Sequence, residues 1–141
     1  MRALITGSTG FVGPYLWKEL EDHGFEVFGL DRLNKEENKN VYCGDITDEE
    51  FVNRAIKDLK PSHIFHLAGF SSVRKSFDEP ELVNKINVGG TLNLLSAAAR
   101  YVPDSKVLIV SSAEVYGKPG AIPISEGEPL KEGSPYSKSR I

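Results

Sequence analysis

Gly7, Gly10 and Gly13 recur at three-residue intervals in Gly7-Ser8-Thr9-Gly10-Phe11-Val12-Gly13, between an apolar run and a helix-like segment. Glycine at such a junction permits a tight turn and close backbone approach. The free N–H groups and positive dipole end of the following helix attract an anion, a pyrophosphate above all. A turn that merely caps a helix would carry the same glycines, but the next residues favour a phosphate cradle. Asp31 stands 18 residues past Gly13 at the end of a second apolar run. A carboxylate near that place accepts hydrogen bonds from an adenosine ribose, which points to a dinucleotide, NAD ahead of NADP. Arg32 keeps NADP open, because an arginine there can pair with a 2′-phosphate, although it reads equally as a solvated charge. Further on, Tyr136 and Arg140 stand four apart, so on a helix both can point at one bound molecule.

The elements that must position these groups alternate in type. Ala3-Leu4-Ile5 reads as a first strand, and Gly13 to Asp22 as a helix with Tyr15, Leu16 and Leu20 at helical spacing, stopped by His23-Gly24. A second strand is expected from Glu26 to Leu30 and a third from Val41 to Cys43, after a polar loop from Asn34 to Asn40. Asp48 reads as the N-cap of a helix whose apolar stripe is Phe51, Val52, Ala55, Ile56 and Leu59, closed by Pro61. His63 to Leu67 and Val107 to Val110 are nearly continuous apolar runs, as in strands buried on both faces. Between them one long helix is expected from Glu81 to Tyr101, apolar on more than one side and suited to pack on the sheet and on a partner. Alternation of this kind implies right-handed βαβ crossovers and a parallel sheet covered by helices on both faces. From Gly117 to Ser134 the chain is rich in proline and glycine and reads as loop, and it stops at Ile141 just as Pro135-Tyr136 opens another helix.

Composition narrows the function. With 141 residues, 40% hydrophobic and 26% charged, one domain is expected, residues 1–141, and the formal net charge of −3 argues against nucleic acid as a partner. The single cysteine, Cys43, excludes an intrachain disulfide and suggests a reducing, cytoplasmic setting. No apolar run reaches a membrane span, and no signal-peptide pattern opens the chain. His63 and His66 flank a strand and His23 ends a helix, so all three read as structural and no metal site is expected.

Thr6 to Gly13 resembles the extended short-chain dehydrogenase/reductase family more than the G-x-G-x-x-G fingerprint. Gly44-Asp45-Ile46 resembles that family's adenine-contacting acidic turn, and His66-Leu67-Ala68-Gly69 its turn lining the cofactor. Asn87-Val88-Gly89-Gly90-Thr91 resembles its central-helix signature, and Ser111-Ser112-Ala113-Glu114-Val115-Tyr116-Gly117 its active-site strand end. Tyr136 falls where the family has a tyrosine followed four residues later by lysine, which in this sequence is Arg140. The resemblance implies a Rossmann-type doubly wound α/β sheet, here lacking the last strands and the substrate domain, in a truncated chain inactive by itself. It further implies that Gly7, Thr9, Gly10, Phe11, Val12, Gly13, Asp31, Arg32, Asp45, Ile46, Leu67, Ala68, Gly69, Ser71, Ser111 and Tyr136 contact NAD or NADP.

The catalytic roles also come from the resemblance. Tyr136 would exchange a proton with a sugar hydroxyl, Arg140 would supply the nearby cation, and Ser112 would hydrogen-bond the oxygen that becomes a carbonyl. An arginine fork does not simply replace an ammonium there, which puts full activity in question. Ser112-x-Glu114 followed by an apolar residue, Tyr116 and Gly117 resembles sugar-nucleotide 4,6-dehydratases, in which the carboxylate removes the proton at C5. Related GDP-4-keto-6-deoxymannose reductases also carry a glutamate there. The stretch from Ser71-Ser72-Val73-Arg74 through Phe77 and Pro80 resembles the GDP-mannose branch. The expected function is therefore nucleotide-sugar modification, GDP-mannose dehydration foremost, with a reductase, a 4-epimerase or a non-catalytic cofactor-binding module as alternatives and a homodimer for the full-length protein.

Overall fold

The computed structural model describes residues 1–34 and 38–141; positions 35–37 of the expected polar loop lie outside the described residues. The elements run β1 (Arg2–Thr6), α1 (Gly13–Asp22), β2 (Glu26–Asp31), β3 (Val41–Cys43), α2 (Glu49–Leu59) and β4 (His63–His66). Then come α3 (Val73–Ser76), α4 (Pro80–Asn84), a π-helical stretch (Lys85–Gly89), α5 (Gly90–Tyr101), β5 (Lys106–Ile109), a 3₁₀ turn (Ala113–Tyr116) and α6 (Pro135–Lys138).

All strand pairs are parallel and the sheet order is β3-β2-β1-β4-β5. Alternation along each strand sends side chains to opposite faces. Leu4, Leu30 and Ile64 meet α2 and α5 through Val52, Ile56, Leu94 and Ala97, while Ala3, Ile5 and Val27 meet α1 through Leu20 and the partly buried Leu16 and Trp17. Leu4, Ile56, Ile64 and Leu94 are fully buried, each contributing about 1.5–3 kcal/mol relative to exposure.

Local chemistry sets the element ends. The Asp48 carboxylate accepts the Phe51 N–H at 3.0 Å, and Glu49 and Glu50 complement the dipole in the first turn of α2. That helix ends at Leu59, two residues before Pro61, and its C-cap Lys60 takes a left-handed conformation with φ 49°.

Two expectations are corrected. The segment read as one long helix carries a π-helical turn at Lys85–Gly89, a departure in backbone bonding that side-chain periodicity does not report. Val107 to Val110, read as a strand buried on both faces, lies beside β4 at the edge of the described sheet, and Leu108 is 50% exposed. Leu108 faces the α1 side, which α1 covers only as far as β1 and its neighbours.

Candidate active site

Successive strands step from β1 to β2 to β3, and the chain then returns to the other side of β1 as β4. Loops leaving β1 and β4 therefore diverge, and a crevice opens at the carboxyl ends of the strands. A cleft of about 760 Å³ lies there.

Its floor is the glycine turn. Gly7 donates to the Leu30 carbonyl at 2.8 Å and Gly10 to the Gly7 carbonyl at 3.1 Å, folding the chain back on itself. Gly7 has φ +71°, and a Cβ there would stand 2.8 Å from the Ala68 nitrogen, so the β1 and β4 loops touch only because the side chain is absent. A Cβ on Gly13 would overlap the Ser8 carbonyl oxygen. Helix α1 opens with Pro14 in its first turn, where the missing N–H costs nothing, and no side chain caps its first-turn amides. Those amides remain free for an anion in the cleft.

Asp31 ends β2 with its carboxylate 2.9 Å from the Thr9 N–H, so the turn and the carboxylate share one wall. Burial opposes charge on Asp45, but the Thr47 amide and hydroxyl, with the Arg32 and Lys85 charges, outweigh it and hold its carboxyl below the usual range. The glycine turn with Thr9, Phe11 and Val12 lines the cleft, as do Asp31, Arg32, Asp45, Ile46, Leu67, Ala68, Gly69 and Ser71. Gly44 and Ser72, from the turn and the stretch singled out in the sequence, line it as well, and so do Leu30, Leu33, Phe70, Lys75, Ile86 and Val110, which the sequence does not mark. For Lys75 a signal existed: Ser72 caps α3 by accepting the Lys75 N–H at 3.3 Å, so a short helix beginning at Ser72 puts Lys75 in its first turn.

Ser111, Ser112, Glu114, Tyr136 and Arg140 do not line this cleft; they gather beside its Val110 rim. Ser112 caps the 3₁₀ turn by accepting the Glu114 N–H at 3.2 Å, leaving the Glu114 side chain exposed and Val115 buried as the anchor. Helix α6 packs against this turn and carries Tyr136, which is buried to 8% exposure. Its start is fixed by a capping box in which the Ser134 and Ser137 hydroxyls exchange bonds with each other's backbone. Arg140 lies past the end of α6, so the expected shared helix face does not form. Its guanidinium instead folds back to 5.6 Å from the Tyr136 ring centroid, donates to the Val110 carbonyl at 3.3 Å and presses against Gly69. The Ser111 hydroxyl donates to the Arg140 carbonyl at 3.2 Å. Among the described residues no group of three or more His, Cys, Asp or Glu side chains is placed to hold a metal.

A parallel sheet whose switch-point crevice holds a glycine turn, a free helix N-terminus and a carboxylate at the end of β2 defines the Rossmann class of nucleotide-binding domains. The family model described as GDP-mannose 4,6 dehydratase matches residues 4–141, and the chain belongs to that family, within the extended short-chain dehydrogenase/reductases. It is 39% identical over its whole length to a UDP-glucose 4-epimerase of Mycolicibacterium smegmatis, covering 48% of that protein. It is 34% identical to GDP-mannose 4,6 dehydratase 2 of Caenorhabditis elegans, over 99% of this chain and 42% of that one. A UDP-glucose 4-epimerase of Thermus thermophilus crystallised with NAD superposes with TM-score 0.89 and 34% identity, over 99% of this chain and 47% of that one. The chain spans about half the length of these relatives.

Proposed function

We propose that this chain is the NAD(P)-binding part of an enzyme that modifies a nucleotide sugar by transient oxidation at C4, most specifically a GDP-mannose 4,6-dehydratase. The observation carrying the reading is the packing of the Tyr136 helix against the 3₁₀ turn of Ser112 and Glu114, beside the Val110 rim of the cleft. That packing brings together, at the end of β5, the two elements that carry a phenol, a hydroxyl and a carboxylate, the set that oxidation at C4 followed by proton loss at C5 requires.

The residues fit a dinucleotide. The free amides of α1 would take the pyrophosphate and the Asp31 carboxylate the adenosine ribose, which favours NAD over NADP. When bound, the cofactor would supply the acceptor for the C4 hydride and the donor of that hydride to C6 of the dehydrated sugar. Tyr136 receives the proton of the C4 hydroxyl, and Ser112 donates to the oxygen as it becomes a carbonyl. Glu114 then takes the C5 proton and hands it to the departing C6 hydroxyl, which leaves as water. A 4-epimerase is the second reading, favoured by the 39% identity to the M. smegmatis protein. The lone Cys43 supports a cytoplasmic location, and the exposed Leu92 and Leu95 on α5 support a homodimer of the whole protein.

The test is Glu114→Gln in the full-length protein assayed in deuterated water. The expected result is hydride transfer at C4 with water loss from C6 slowed at least roughly a hundredfold, and deuterium at C5 of the parent's product. Loss below about tenfold, or no deuterium at C5, removes the dehydratase assignment.

A further inference from the structure

His66 ends β4 at 1% exposure, between Thr6 of β1 and Thr91 of α5. Its Nδ1 lies 2.6 Å from the Thr6 hydroxyl and its Nε2 3.0 Å from the Thr91 hydroxyl. The proton positions follow from counting donors. Thr91 spends its only hydroxyl proton on the Asn87 carbonyl at 2.5 Å, so it can only accept from His66. Nε2 therefore carries the ring proton, and in a neutral imidazole Nδ1 must accept, taking the Thr6 hydroxyl proton. Thr6 in turn accepts the Ala68 N–H at 3.2 Å. Burial, with the Arg140 charge adding to it, pushes the His66 pKa down to about 4, so the ring is neutral at ordinary pH.

Both ends of this string grip the loop after β4. Ala68 is bound at one end, and at the other Asn87 accepts the Phe70 N–H at 2.7 Å and donates to the Phe70 carbonyl at 3.2 Å. Asn87 also donates to the Ser139 hydroxyl at 2.8 Å, and Ser139 donates to the Tyr136 carbonyl at 2.7 Å. The π-helical stretch is where Asn87 sits, so its carbonyl and its side chain serve the string at once.

We propose that His66 is a positioning residue: held as the Nε2–H tautomer between Thr6 and Thr91, it sets the Leu67–Phe70 wall of the cleft and ties that wall to the helix of Tyr136. Its consequence for cofactor affinity rests on the function proposed above, whereas the hydrogen-bond order does not. An Nδ1–H tautomer would set the bare Nε2 against the Thr91 oxygen, whose proton is held by Asn87, and a doubly protonated ring would set Nδ1–H against the Thr6 hydroxyl proton; relieving either clash releases Ala68 or Asn87.

The test uses the 141-residue chain labelled with ¹⁵N. The long-range ¹H–¹⁵N spectrum of the parent should show His66 with Nδ1 unprotonated, and the Ala68 and Phe70 amides should exchange slowly. Thr91→Val, which removes the acceptor, should speed exchange of both amides and weaken NAD binding by about tenfold, while Thr91→Ser restores both. An Nδ1–H tautomer in the parent overturns the proposal even if the valine variant does not fold. So does a folded Thr91→Val with unchanged amide exchange. If the parent binds no NAD but the amides respond as stated, the positioning role stands and the cofactor reading falls.

Discussion

The Arg140 guanidinium lies 5.6 Å from the centroid of the Tyr136 ring while its Nη1 donates to the Val110 carbonyl, one strand away from His66. A charge held there acts on both neighbours: a cation over an aromatic face stabilises by about 0.5–1 kcal/mol, and the same charge disfavours a proton on His66.

Arg140→Ala should therefore raise the His66 pKa from about 4 while leaving it below the ordinary 6.5, because burial, the larger cause, remains. An NMR titration of the ring carbons reads this directly. A His66 pKa that is unmoved or lowered would show that the guanidinium does not act on the ring.

Acid sensitivity has a worked sign. His66 is depressed from 6.5 in the unfolded chain to about 4 in the fold, so folding excludes a proton that the unfolded chain binds. Its contribution is fully present above about pH 6.5 and is lost as the pH falls toward 4, up to roughly 3 kcal/mol at about 1.4 kcal/mol per unit. Urea unfolding of the parent and His66→Gln across that range should show the dependence flatten in the variant. Equal slopes would remove His66 as its source.

Gly13→Ala should cost at least about 2 kcal/mol of stability, because the added methyl meets the backbone of Ser8 rather than a side chain that can swing away. Urea midpoints measure it, and NAD affinity should fall with it because the turn shifts at the mouth of α1. Parent-like stability would mean that the Ser8–Gly13 contact relaxes freely.

On the proposed function, the choice between NAD and NADP falls to two adjacent residues of opposite charge, Asp31 and Arg32. Asp31→Ala should weaken NAD binding by about ten- to a hundredfold, the range for a hydrogen bond to a charged group. Arg32→Ala should weaken NADP and spare NAD. Calorimetry with both cofactors compares them, and NAD binding that ignores Asp31 would put the ribose elsewhere.

Much of this molecule is written locally. The three-residue glycine spacing, the Asp48 cap and the apolar runs of β1, β2 and β4 are short-range features, so a linear reading recovers the turn, the starts of α1 and α2 and the succession of those strands along the chain. The place of Asp31 at the end of β2 is legible as well, whereas its bond to the Thr9 N–H is not marked in the sequence.

What the tertiary structure alone decided depends on groups brought together from far along the chain. Thr6 and His66 stand 60 residues apart and Asn87 and Ser139 stand 52 apart, and only the pairing of β1 with β4 and the docking of α6 bring them into contact. Exposure of β5 followed from its place at the edge of the described sheet, which its apolar sequence does not encode. Arg140 was expected beside Tyr136 by helical periodicity, and α6 ends before reaching it. The guanidinium comes back to the ring because Val110 offers a carbonyl there and Gly69 offers no side chain to obstruct it. Spacing along a chain states which groups a turn of helix can align; which carbonyl a cation finally meets is settled by strands and loops that the spacing does not contain.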